Sequence, residues 1–120
     1  MTETTVVLVD ARNVLRSRWP NVPEAELVRC AADWAAERGV KVVLVFDGRA
    51  PDVAVDPSCA VVGTGAESAD DWIARAASEY EDSGQRFWLV TSDRALRAAA
   101  GAAAERIIGG GAHLTELGLR

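Results

Sequence analysis

Five short apolar runs, rich in β-branched residues, punctuate the chain: VVLVD at 6–10, VKVVLVFD at 40–47, CAVVG at 59–63, RFWLVTSD at 86–93 and RII at 106–108. Their apolar positions are continuous rather than alternating, the pattern of strands covered on both faces. Helical patterns separate most of them. VPEAELVRCAADWAAER carries Leu27, Ala31, Trp34, Ala35 and Arg38 at spacings of three and four, and Pro23 suits a first helical turn. SADDWIARAASEYED repeats the idea with Ile73, Ala76, Ala77 and Tyr80. RALRAAAGAAAE is a third, weaker helix interrupted by Gly101, and a short helical turn is expected around HLTELG. Strands alternating with helices predict a three-layer α/β/α fold around a mostly parallel sheet of four to five strands. The one long polar insertion, DGRAPDVAVDPS at 47–58, reads as a mobile loop.

A length of 120 residues, 49% hydrophobic, suits one compact domain with its own core. No stretch approaches the roughly 18 apolar residues of a membrane span, and the N-terminus lacks the charged and apolar regions of a signal peptide. The expectation is a cytoplasmic protein. Cys30 and Cys59 have neither metal-ligand spacing nor the density of a disulfide scaffold, and both read as small buried hydrophobes. His113 is the sole histidine and reads as a surface or cap residue. Zinc chemistry and a histidine triad are therefore disfavoured, and oxygen ligands must carry any metal.

A net charge of −5 argues against a domain that grips nucleic acid by bulk charge. Yet every basic residue except Lys41 is arginine, and Arg12, Arg16, Arg18, Arg49, Arg94 and Arg97 fall in or near loops and helix starts. A local basic patch is compatible with this placement.

The acids are less evenly spread. Three of the four long apolar runs end on or beside an aspartate: Asp10, Asp47 and Asp93. In an open α/β sheet, ligands bind outside the carboxyl ends of the strands, where the strand order reverses. With the first strand central, the second on one side and the fourth run on the other, these aspartates converge. Asp70 lies three and seven residues before Ile73 and Ala77, which places it on the inward face of its helix near the same rim, and Glu67 is three residues before Asp70. Asp71, four before Arg75, fits a solvent-side ion pair instead. Gathered carboxylates repel, and a divalent cation is the usual resolution; hard oxygen donors without imidazole point to Mg²⁺ or Mn²⁺.

Each acid also has a purely structural reading. Thr64 with Glu67 and Ser68 with Asp71 match the helix capping box, Asp93 can open a helix, Asp47 before Gly48 can form a turn, and Asn13 can cap backbone. The site rests on their coincidence at one rim. GTGAES at 63–68 imitates part of a dinucleotide fingerprint but follows the wrong run and lacks the last glycine. Of the four tryptophans, Trp34, Trp72 and Trp88 read as packing residues, whereas Trp19 in RSRWPN is expected to be exposed and able to stack on a base.

Taken in order, VDxxN, FDG, GAESADDWI, VTSDR and IIGGGAHLTEL resemble the YacP-like branch of NYN-domain proteins, PIN-like metal-dependent ribonucleases, from about Val6 to Leu117. The resemblance implies a parallel sheet whose clustered acids bind Mg²⁺ or Mn²⁺ and cleave RNA. It carries the first acid to Asp10 with Asn13 beside it, the second to Asp47, the helix acids to Glu67 and Asp70, and the last to Asp93 with Ser92 adjacent. Where family members often read DGYN, this chain has DARN, so Ala11 and Arg12 replace a glycine and an aromatic. That change bears on substrate contacts more than on metal binding, because the acid and the amide remain. The chain also ends sooner than some relatives, so an RNA-binding segment is expected to be absent or supplied by a partner.

The leading expectation is RNA phosphodiester hydrolysis with Asp10, Asp70 and Asp93 as metal ligands and Asp47 and Glu67 as outer ligands or water positioners. Asn13 and Ser92 would orient carboxylates or contact phosphate, and Arg12, Arg16, Arg18 and Arg94 would steer the RNA backbone. A ribosome or protein partner is compatible with this reading. Two competitors stand beside it. One is a PIN-like RNA- or protein-binding module without catalysis. The other is a haloacid-dehalogenase-type phosphatase, which wants an acid two residues after Asp10, where Arg12 stands, and a lysine near the site, whereas Lys41 precedes the second strand.

Overall fold

A computed structural model describes residues 4–53 and 57–119. The apolar runs form β1 (Val6–Asp10), β2 (Lys41–Phe46), β3 (Cys59–Gly63), β4 (Phe87–Val90) and β5 (Arg106–Ile108). All pair in parallel, in the order β3-β2-β1-β4-β5. The sheet has the expected type and strand number, and β1 has the expected central place. Because β2 lies on one side of β1 and β4 on the other, the order reverses at the carboxyl ends of β1 and β4.

Helices cover both faces. On one lie α1 (Ala11–Arg16), α2 (Glu24–Arg38) and α5 (Gly110–Glu116); on the other lie α3 (Ala69–Ser83) and α4 (Arg94–Ala100). Strand side chains divide between them by parity: Val7, Val9, Val42, Leu44 and Phe46 pack toward α2, whereas Val6, Leu8, Val43, Val45, Phe87 and Leu89 pack toward α3. The two long helices end where glycine takes the left-handed conformation, Gly39 at φ 68° and Gly84 at φ 76°. At the start of α3, the Ser68 hydroxyl accepts from the Asp71 N–H at 3.1 Å. Among the described residues, no helix is long and apolar enough to cross a membrane.

Several expectations are corrected. The stretch after Asp10 is a helix that the sequence does not single out; at six residues, α1 is too short to declare itself by periodicity. The helix read through Glu105 stops at Ala100, since the chain must turn to enter β5 at Arg106. His113 is fully buried, with its ring edge-on to Trp34 at 5.0 Å; burial lowers its pKa, partly opposed by Glu116. Cys59 is buried as read, while Cys30 is only partly so. Arg75 pairs with Glu67 rather than Asp71. Within 47–58, Ala50 and Val53 pack against the α2-side core; residues 54–56 lie outside the described residues.

Ile73 joins α3 to the sheet at full burial. Ile73→Ala is expected to lower the unfolding free energy by about 2–5 kcal/mol, from lost transfer energy and the cavity left behind. Urea denaturation followed by far-UV circular dichroism would measure it.

Candidate active site

Strand parity places the site. Asp10 continues the Val6–Leu8 face, Asp47 the Val43–Val45 face, and Thr91 the Phe87–Leu89 face, so all three are directed toward the α3 layer at the carboxyl end of the sheet. The N-terminus of α3 arrives at the same rim. Asp47 Oδ1 accepts from the Ala69 N–H at 2.7 Å, fixing the end of β2 to the first turn that carries Asp70. An acid at this position is favoured by the helix dipole.

The result is a cleft of about 210 Å³ bounded by Asp10, Asp47, Asp70 and Asp93, with Arg12, Asn13, Arg16 and Ser68. Asp10 is only 6% exposed, and Thr91 Oγ1 donates to its Oδ2 at 3.1 Å. Burial pushes the Asp10 carboxyl up to about 6; the charges of Asp70 and Asp47 add to the rise, and the hydrogen bond from Thr91 opposes it. Asp70 is also raised, first by desolvation and then by Asp93, Asp47 and Asp71. Two raised carboxyls in one cleft are the electrostatic mark of a site that concentrates negative charge. Among the described residues, Arg12 is the cation that approaches an acid of the cleft, with Nε 3.9 Å from Asp47 Oδ2.

Asn13 and Ser92 act through backbone. Asn13 Oδ1 accepts from the Ser92 N–H at 2.8 Å, and Ser92 Oγ accepts from the Gly110 N–H at 2.9 Å, linking α1, the end of β4 and α5. A Cβ on Gly110 would crowd Ser17 Oγ and Asn13 Oδ1, so a side chain at that junction would displace the hydroxyl and the amide that holds Ser92. Asp93 caps α4, its Oδ1 accepting from the Leu96 N–H at 3.0 Å. Sequence reading overlooked Thr91, whose hydroxyl also accepts from the Asp93 N–H at 3.1 Å and so joins two of the acids. Its signal was its parity with Phe87 and Leu89.

Four predicted residues do not line the cleft: Ser92, engaged with Asn13 and Gly110, and three others. Glu67 is held outside it by the ion pair with Arg75. Arg18 Nη2 donates to Gly111 O at 3.1 Å and to Thr115 Oγ1 at 2.6 Å, so its guanidinium fastens α5 instead of facing the acids. Arg94 is exposed at the start of α4 and is not part of the cleft wall. Lys41 opens β2, at the far end of the sheet from the acids.

The donor set fits a hard divalent cation by type: carboxylate oxygens around a buried acid, with Asp47 and Asp93 each committing only Oδ1 to a backbone N–H. As the side chains stand, no three His, Cys, Asp or Glu groups among the described residues are close enough together to hold an ion.

Ionising Asp10 inside the fold is unfavourable by about 3 kcal/mol at neutral pH, taking about 6 in the folded chain against 3.8 unfolded. The sign follows: because the folded pKa is the higher, this destabilisation is complete above pH 6 and fades as pH falls toward 4. Asp10→Asn is therefore expected to raise the unfolding free energy by about 1–3 kcal/mol at pH 7.5 in chelator, and to lose that advantage near pH 4. Parallel urea titrations at both pH values would check it.

A profile of the YacP-like NYN domain matches residues 7–109. Among solved structures, the chain superposes on Rae1 (YacP) from Bacillus subtilis with a TM-score of 0.74, covering 96% of this chain and 74% of that one at 21% identity. A tryptophan-to-leucine mutant of the same protein gives a TM-score of 0.77, with 96% and 76% coverage and 21% identity. No curated protein matches.

Proposed function

The chain belongs to the YacP-like NYN domain family, and from that premise we propose that it is an Mg²⁺- or Mn²⁺-dependent endoribonuclease working in the acidic cleft. The observation that carries this reading is the meeting of Asp10, Asp47, Asp70 and Asp93 where the strand order reverses. Asp10, Asp70 and Asp93 would hold the ion. When bound, it would lower the pKa of a water and neutralise charge building on the scissile phosphate.

The chain's own residues do the rest. Asp47, fixed by the Ala69 N–H, positions water at the rim. Thr91 steadies Asp10 and the backbone of Asp93 together. Asn13 spends its Oδ1 on Ser92, which leaves its Nδ2 hydrogens to donate to a phosphate oxygen in the cleft. Arg12 and Arg16, the cations of the cleft wall, attract the RNA backbone to an otherwise acidic rim. With a net charge of −5, the chain has little general attraction for RNA, so a ribosome or protein partner that delivers the substrate in the cytoplasm belongs to the same proposal.

Cleavage of end-labelled single-stranded and structured RNA in Mn²⁺ tests the reading. Asp10→Asn and Asp93→Asn are each expected to reduce cleavage about a hundredfold or more, since several kcal/mol of transition-state stabilisation are lost. Electron paramagnetic resonance of free Mn²⁺ should show a site in the wild type that both variants weaken. Equal cleavage by all three proteins would remove the acids from the chemistry.

A further inference from the structure

Arg12 and Arg16 stand one turn apart on α1 and border two clefts at once. One is the acidic cleft. The other, about 400 Å³, lies on their far side and is lined by Leu15, Asn21, Val22, Pro23 and Glu24. Leu15 belongs to the apolar core and Val22 packs against it, so that cleft has an apolar wall, while Asn21 and Glu24 offer an amide and a carboxylate at its exposed edge. A carboxylate there repels phosphate and accepts hydrogen bonds from base N–H groups.

Two residues before Asn21 is Trp19, 88% exposed. A lone exposed aromatic is ordinary on a protein surface. This one stands on a fastened loop beside an arginine-lined groove. Arg18 ties the loop to α5, and Asn21, oriented with Nδ2 toward the carbonyls, donates to Leu15 O and Arg18 O at 3.0 Å each. The indole is thus presented by a braced segment, at little ordering cost when a flat ligand stacks on it.

We propose that the groove beyond Arg12 and Arg16, with Trp19 on its bounding loop, is a subsite for an unpaired RNA base neighbouring the phosphate in the acidic cleft. The arginine pair holds the backbone on the ridge between the two clefts, and the base leaves it on the side away from the aspartates. A paired base cannot turn into the groove, so the subsite selects single strands. This inference rests on the nuclease reading for the identity of the neighbouring cleft. Two bound phosphates give a salt dependence of about −1.4 in log K against log salt, far shallower than that of a basic RNA-binding domain.

The test is fluorescence anisotropy of a short labelled single-stranded RNA and a blunt duplex, with Asp10→Asn as the common background to keep the RNA intact. Adding Trp19→Ala is expected to weaken single-strand binding about 5- to 150-fold. Trp19→Phe should retain most of the affinity, and neither change should alter duplex binding or the melting temperature. Unchanged single-strand affinity in Trp19→Ala, equal losses for single strand and duplex, or a parent that binds no single-stranded RNA would each overturn the proposal. So would sedimentation showing that Trp19→Ala abolishes self-association while leaving RNA affinity intact. The two readings fail separately. Asp10-dependent cleavage with a KM indifferent to Trp19→Ala would sink the subsite alone, whereas a Trp19-dependent affinity in a protein that never cleaves would sink the nuclease alone.

Discussion

The burial of one carboxylate organises the functional end of this fold. Asp10 is the only buried acid among the described residues, and it sits at the end of the central strand, where β1 meets β4. A buried carboxylate must be protonated, hydrogen-bonded or matched by positive charge. Thr91 supplies one hydrogen bond, and the nearest acids, Asp70 and Asp47, make ionisation harder rather than easier. Burial and these neighbours together make ionised Asp10 unfavourable by on the order of 3 kcal/mol, against the 5–15 kcal/mol typical of a domain. Costs of this kind cluster at functional sites, where protonation or an opposite charge relieves them.

The strand order explains why this cost arises here. A parallel sheet whose first strand is central sends β2 and β4 away on opposite sides, opening a crevice at the reversal. Because β1, β2 and β4 share a register of parity, Asp10, Asp47 and Thr91 all follow the face that α3 covers, and α3 begins at the same rim. Backbone hydrogen bonds then hold the parts in place: Asp47 to α3, Asp93 to α4, and Asn13 through Ser92 to α5. The acids are anchored by secondary-structure ends rather than by one another.

Much of this is legible in the sequence. Continuous apolar runs marked the strands, and the placement of aspartates at the ends of three of them marked the rim, because both signals are local in sequence. What failed needed tertiary information. Nothing local distinguishes Arg18, which reaches across to Gly111 and Thr115, from Arg12 and Arg16, which face the acidic cleft. Glu67 sits three residues before Asp70, a helical spacing, but it precedes the Ser68 cap and turns outward to Arg75. His113 was misplaced because α5 is too short to show an inward face until Trp34 packs against it. Thr91 escaped notice because a threonine after an apolar strand ordinarily means nothing more than the strand's end.

If Asp10 is the group that an external cation relieves, its own titration reports it. Carbon-13 NMR of the aspartate side-chain carboxyls, recorded from pH 3 to 9 with and without Mg²⁺, measures this directly. The account predicts that Asp10 titrates at about 6 without the ion and at least about one unit lower with saturating Mg²⁺, because a bound cation favours the ionised form. An Asp10 that titrates in the ordinary carboxylate range, or whose midpoint is indifferent to Mg²⁺, would contradict it.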